Sequence, residues 1–174
     1  MKQVMHAEAI VSLLNNDIHN VELPQLLDAQ LSHADGIRGF MVTYLTIAGE
    51  SVADNGEIPP PLSDILLETV ERNPDLVSLA CMNVIMPTAM MTMHSEKELQ
   101  EQSKLTAERG AKILKLLLEF GDTQAQCEAI LSVAKGDARD TNIREIYWKD
   151  FFEKWNYGDE QRSDICNAME SLLK

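Results

Sequence analysis

Cysteines and basic residues are scarce in this sequence, and both shortages exclude classes of protein. There are three cysteines, widely separated: Cys81, Cys127 and Cys166. No CxxC pair occurs, and an odd number leaves at least one thiol free, so neither a disulfide framework nor a zinc site is expected. The sequence therefore predicts a protein of a reducing compartment, the cytoplasm.

Positive charge is the second shortage. Fifteen Lys and Arg stand against 28 Asp and Glu, which gives a net charge of −13. Such a chain repels phosphate backbones, so we expect no nucleic-acid partner. Residues 1–75 hold three basic and twelve acidic residues, whereas residues 76–121 hold five of each. An acidic decoy of nucleic acid is disfavoured, because the acids alternate with apolar residues rather than following phosphate spacing.

Motifs for catalysis and for metal or nucleotide binding are also missing. The sequence has no GxxxxGK[ST], GxGxxG, GxSxG, HExxH or EF-hand pattern. None of the four histidines follows a glutamate by three positions, as a ferritin-like di-iron site requires. We therefore expect no catalytic residues and no bound metal, and the sequence leaves any cofactor unknown.

Apolar periodicity and capping residues predict helices throughout, with almost no strand signal. The predicted helices are 3–15, 24–34, 36–49, 63–73, 75–94, 96–120, 123–135, 142–156 and 160–173. We expect an all-α single domain over 1–174, a compact bundle of eight or nine helices around a buried helix at 75–94. A division into a lobe over 1–50, a Pro-rich connector over 50–62 and a helical lobe over 63–174 is possible within it.

The segment 76–93 contains no charge and is just long enough to cross a bilayer. Asn83, Pro87 and three hydroxyl side chains interrupt it, and the rest of the chain supplies amphipathic helices to cover it. These features favour a central helix of the core, so we expect no membrane partner.

Methionines form a stripe in this segment. Met82, Met86, Met90 and Met93 recur every three or four residues, on one helix face, and His94 lies beside them. Three interpretations remain open: core packing, a plastic apolar surface for a helix or an apolar ligand, and a soft-metal site with Cys81 or His94. Pro87 is expected to kink the helix and to free the carbonyl of Asn83.

Arg38 is the only charge between Asp35 and Glu50. It can pair with Asp35 within the helix, or it can bind a ligand together with Tyr44. In the second case a pocket between the 36–49 and 75–94 helices would use Arg38, Tyr44, Met86, Met90, Met93 and His94.

Two further surfaces stand out. Small residues around Gly110 predict close approach of a neighbouring helix, the Met-rich one. Apolar residues then crowd the end of the 96–120 helix, and aromatic residues cover two faces of the 142–156 helix. Candidate interface residues there are Leu117, Phe120, Trp148, Phe152 and Trp155.

Two functions are consistent with these patterns. The favoured one is a non-enzymatic interaction or regulatory protein, homodimeric or bound to a protein partner through apolar and aromatic helix faces. The alternative is a protein, or an enzyme, that binds a small apolar molecule or a cofactor in the Met-rich pocket.

Overall fold

The computed structural model describes residues 2–174, which form nine α-helices, one short 3₁₀ helix and no strand. The helices are α1 (Lys2–Asn16), α2 (Leu23–Leu31), α3 (Ala34–Thr46), α4 (Leu62–Arg72), α5 (Asp75–Met93), α6 (Lys97–Leu117), α7 (Thr123–Lys135), α8 (Ile143–Lys154) and α9 (Asp159–Leu172). The predicted all-α bundle is confirmed.

Helix α5 is the centre of the bundle, as the sequence predicts. It packs along α6 and also contacts α3, α4, α7 and α9. Among the described helices it alone is long and apolar enough to cross a membrane, and half of its apolar window is buried by the rest of the chain. All nine helices contribute side chains to one cluster of buried hydrophobic residues.

Helix α3 ends at Thr46 rather than at the predicted residue 49. Ile47 is already extended, with φ −56° and ψ 132°. The carbonyl groups of Leu45 and Ile47 accept hydrogen bonds from Arg109 of α6 instead of continuing the helix. A distant side chain therefore supplies the donors for carbonyl groups at the end of α3.

The Pro-rich connector is held to the bundle from two sides. It contains the 3₁₀ helix Val52–Asp54, and Asn15 of α1 accepts hydrogen bonds from the Ser51 hydroxyl and the Val52 amide. From α6, Lys112 donates to the carbonyl groups of Ala53 and Asn55. The connector is therefore hydrogen-bonded to both α1 and α6.

The three cysteines are free, and two of them lie in the core. A hydrogen bond with Cys127 and burial raise the pKa of the Cys81 thiol. Cys166, on α9, is only half-buried and lies 3.9 Å from Glu170 Oε1.

We therefore expect one of the three thiols to react with Ellman's reagent in the native protein and all three in concentrated urea, since only thiolates at accessible positions attack the reagent. The absorbance of released thionitrobenzoate measures this count. In Cys166→Ser the native reaction is expected to disappear, and persistence of a fast native reaction in that variant would contradict the burial of the other two.

Candidate functional site

A half-open cleft of about 580 Å³ lies where the end of α3, the second half of α5 and the first half of α6 meet. We call it the Met cleft. Its lining is mostly apolar or small: Leu45, Thr46, Ile47, Ala48, Gly49, Met86, Pro87, Met90, His94, Leu99, Gln102, Ser103, Leu105, Thr106 and Arg109. The structure thus brings together three of the six residues that the sequence predicts for a pocket, namely Met86, Met90 and His94.

The geometry of α5 places these three side chains. Met86, Met90 and His94 are spaced by four residues and therefore lie along one side of the helix. His94 terminates α5, since its backbone N–H donates to the Met90 carbonyl, and its own carbonyl accepts from Gln100 Nε2 at 2.7 Å. The imidazole is consequently held at one end of a wall of flexible thioethers.

The remaining predicted pocket residues lie elsewhere. Arg38 is exposed (59% of its side chain) and pairs with Asp35 at 3.0 Å, the local alternative that the sequence also allowed. Tyr44 is buried against Phe40, with ring centroids 5.3 Å apart, and burial raises its pKa to about 12. Met93 is half exposed and does not line the cleft. Arg38 and Tyr44 are therefore not polar anchors of the Met cleft.

Arg109, which is not among the predicted site residues, is the charged residue of the cleft. Its side chain is only 1% exposed. Nε and Nη2 donate to the two carboxylate oxygens of Asp54 at 2.8 and 2.9 Å, and Nη1 donates to the carbonyl groups of Leu45 and Ile47 at 3.1 and 2.8 Å. Because these groups occupy the guanidinium, Arg109 builds the cleft wall rather than presenting a free charge to a ligand.

Hydrogen bonding to Arg109 lowers the pKa of the Asp54 carboxyl below its ordinary value of 3.8. A lowered folded-state pKa stabilises the fold above the unfolded-state pKa, and this stabilisation disappears as pH falls through the folded-state value.

We therefore expect Asp54→Asn to be less stable than the parent near neutral pH, with the difference shrinking below pH 3.8. Urea unfolding near neutral pH and at about pH 3 tests this expectation. A difference that stays constant between the two conditions would show that the Asp54 charge does not contribute.

The predicted interface residues divide into two groups. Leu117, Trp148 and Phe152 are fully buried in the core, and this corrects their assignment to a partner surface. Trp148 also donates its indole N–H to Gln126 Oε1 at 2.7 Å, which satisfies its only polar atom inside the chain. Phe120 and Trp155 are partly exposed.

The exposed apolar face of α8 is formed by other residues. Ile143 is 77% exposed, and Ile146 and Tyr147 lie on the same side of the helix and are also exposed. The aromatic composition of 142–156 was visible in the sequence, but which of its two faces meets the core is decided by α7, the helix on which α8 packs. We call Ile143, Ile146 and Tyr147 the α8 face.

Within residues 2–174, no three His, Cys, Asp or Glu side chains come close enough to hold a metal ion. The Met cleft supplies thioethers, aliphatic groups, one imidazole and a few hydroxyl and amide groups. This chemistry suits binding of an apolar molecule with an occasional hydrogen bond, in a volume within the range of about 300–1,000 Å³ usual for ligand sites.

Fold and cleft together define an all-α bundle with a thioether-rich cleft beside its central helix. The chain belongs to the family described as "Uncharacterised conserved protein UCP020893", whose sequence profile matches residues 3–172. No curated protein and no solved structure matches the chain.

Proposed function

We propose that this protein is a non-catalytic binding protein that takes up an uncharged apolar molecule in the Met cleft. The observation that carries the proposal is the convergence of Met86, Met90 and His94 with Leu99 and Leu105 around one cavity of about 580 Å³. Unbranched thioether side chains change rotamer at little cost and repack around varied guests. The three free thiols are consistent with a reducing compartment such as the cytoplasm.

The charge of the cleft supports an uncharged ligand. Arg109 is its only fully charged lining residue, and that charge is balanced by Asp54. A charged guest would lose hydration without gaining a partner, which is costly in an apolar site. His94, Gln102 and Ser103 remain as hydrogen-bonding groups that can orient a guest.

Nile red, an uncharged dye that fluoresces in apolar surroundings, tests the site. We expect saturable binding that Met90→Glu weakens at least about tenfold, since a carboxylate placed among the apolar side chains of the cleft opposes an apolar guest. Met5→Glu is the matched control, because Met5 is an exposed methionine of α1 outside the cleft. Equal affinity of the two variants, with helical circular dichroism unchanged, would overturn the proposal.

Self-association through the α8 face is a second candidate function. Its exposed apolar side chains lie in the segment 138–155, which holds four basic and four acidic residues. A chain of net charge −13 repels its own copy most weakly where its surface is charge-balanced and apolar. A second copy of the chain is therefore the partner that this face fits best, in line with the homodimer expected from the sequence.

Light scattering coupled to gel filtration measures the mass directly. We expect twice the 19.5 kDa of the chain, reduced to the monomer mass by Ile143→Glu combined with Tyr147→Glu. Val21→Glu introduces the same charge at a 93% exposed position outside α8 and is expected to leave the mass unchanged. A monomeric parent protein would exclude this second function without affecting the first.

A further inference from the structure

A second groove lies on the other side of the α5–α6 pair from the Met cleft. It has a volume of about 690 Å³, with α5 as its floor and α6 and α9 as its walls. The floor and lower walls are apolar or small, and they include Val84, Thr88, Ala107, Ala111 and Leu172. We call it the lysine groove, because Lys104, Lys112 and Lys115 of α6 line one wall.

The directions of α5, α6 and α9 determine which lining residues lie at each end of the groove. Gln161 of α9 donates to the Thr92 hydroxyl near the end of α5 at 2.9 Å, so the start of α9 lies beside the end of α5. Asp164 therefore lies toward the Thr92 end, and Ser171 lies toward the other end. Helix α6 runs back along α5 after a short turn, which places Lys104 near Thr92 and Lys115 near Ser171.

Charge is distributed unequally between the two ends. At the Thr92 end, Lys104 lies 3.9 Å from Glu108, and Asp164 adds a second acid. Toward the opposite end the lining contains Lys112 and Lys115, and Glu108 lies one helical turn before Lys112. Lys112 donates to the carbonyl groups of Ala53 and Asn55 and lies close enough to Asp54 to help lower the pKa of that carboxyl. The ammonium group of Lys115 makes no hydrogen bond or ion pair within residues 2–174.

We infer that the lysine groove binds a single-chain anionic amphiphile of the long-chain carboxylate class. Its hydrocarbon chain would lie on the apolar floor along α5, and its carboxylate would meet the ammonium group of Lys115, beside Lys112. An ammonium–carboxylate contact is the strong, charge-assisted kind of hydrogen bond. Lys115, the lining lysine without an acidic partner, lies at one end of the groove, and this favours one headgroup over an acidic helix, whose charges would be spread along a wall of about 16 Å from Lys104 to Lys115.

The acidity of the rest of the molecule makes this site selective. A net charge of −13 repels anions in general, so an anion binds only where local cations and an apolar groove act together. This site takes an anionic guest and the Met cleft an uncharged one, and neither proposal depends on the other.

Calorimetric titration with dodecanoate, dodecanol and dodecyltrimethylammonium tests the inference. We expect one dodecanoate per chain, at least about tenfold weaker binding of dodecanol, and no binding of the cationic amphiphile, because only the carboxylate can make a charge-assisted contact with the lysine. Dodecanol binding as tightly as dodecanoate, or absence of dodecanoate binding, would overturn the inference.

Three variants locate the site. Lys115→Ala is expected to weaken dodecanoate binding about tenfold. Its matched control is Lys97→Ala, which removes an exposed lysine of the same helix outside the groove. Asn167→Trp, at an exposed position on the α9 wall, fills the groove without disturbing the core and is expected to abolish binding. If Lys97→Ala weakens binding as much as Lys115→Ala, or if Asn167→Trp binds normally while fully helical, dodecanoate binds elsewhere.

Discussion

Replacing Arg109 by methionine is expected to lower the free energy of unfolding by about 3 kcal/mol, the lower end of the range for breaking one side of a buried ion pair. Methionine fills a similar volume, so the loss comes from hydrogen bonds rather than from a cavity. The carbonyl groups of Leu45 and Ile47 lose their donor inside the fold, and Asp54 loses both of its bonds to the guanidinium. Asp54 is 38% exposed and regains water, which keeps the loss at that lower end.

Two further variants separate charge from geometry. Arg109→Lys retains the positive charge but lacks the planar fork that reaches the carboxylate and both carbonyls together, so we expect it to recover only a small part of the stability. Arg72→Met is the matched control, because Arg72 also pairs with an aspartate, Asp28 at 2.6 Å, but is exposed. Urea unfolding measures all three. A loss no larger for Arg109→Met than for Arg72→Met would show that the buried network does not stabilise the fold.

The pairing of Arg109 with Asp54 could not be predicted from the sequence. Its partner Asp54 lies 55 residues earlier in an irregular connector, and no local pattern links the two. One signal was available. Arg109 comes three residues after Thr106 and four before Ile113, which places a charge on the side of α6 that the apolar and small residues predict to be buried. A charge on a buried face requires a partner, although the sequence cannot say which one.

The helices were predictable because their signals are local. Asn142 caps α8 through hydrogen bonds from the Arg144 and Glu145 amides, and the left-handed Gly136 ends α7, with φ 80°. Local signals did not predict which face of the aromatic helix α8 packs against the core. Trp148 and Phe152 lie inward while Ile143 and Tyr147 lie outward, and this depends on the packing of α8 on α7, which periodicity alone does not specify.

The Met cleft was only partly predictable from the sequence. The stripe of Met86, Met90 and His94 follows from helical spacing, but a cleft needs a second and a third wall. Those walls exist because α3 stops early at Thr46 and because α6 approaches α5 closely at one point. Arg109 binds the carbonyl groups at the end of α3, and Gly110 permits the close approach of α6 to α5.

Gly110→Ala is expected to destabilise the protein by about 3 kcal/mol, the upper part of the range for overpacking a core. A Cβ atom at Gly110 would lie 2.5 Å from the carbonyl oxygen of Asn83 and 3.1 Å from its carbonyl carbon. Asn83 is four residues before Pro87, so its carbonyl lacks the usual helical donor and is free to face α6. Since both clashing atoms belong to the backbone, no side-chain rotation relieves the contact, and α5 and α6 must separate.

A loss of stability in Gly110→Ala would point to the close helix contact, because helix propensity alone predicts a gain of stability. Alanine is favoured over glycine inside a helix by about 1 kcal/mol, so a helix without a close neighbour would be stabilised by the change. Gly56→Ala is the control, since a Cβ there meets nothing within 4 Å, and we expect its effect to stay within about 0.5 kcal/mol. Thermal and urea unfolding of the two variants give the comparison. If Gly110→Ala proves as stable as the parent, the close approach of α5 and α6 at Asn83 is not present in solution.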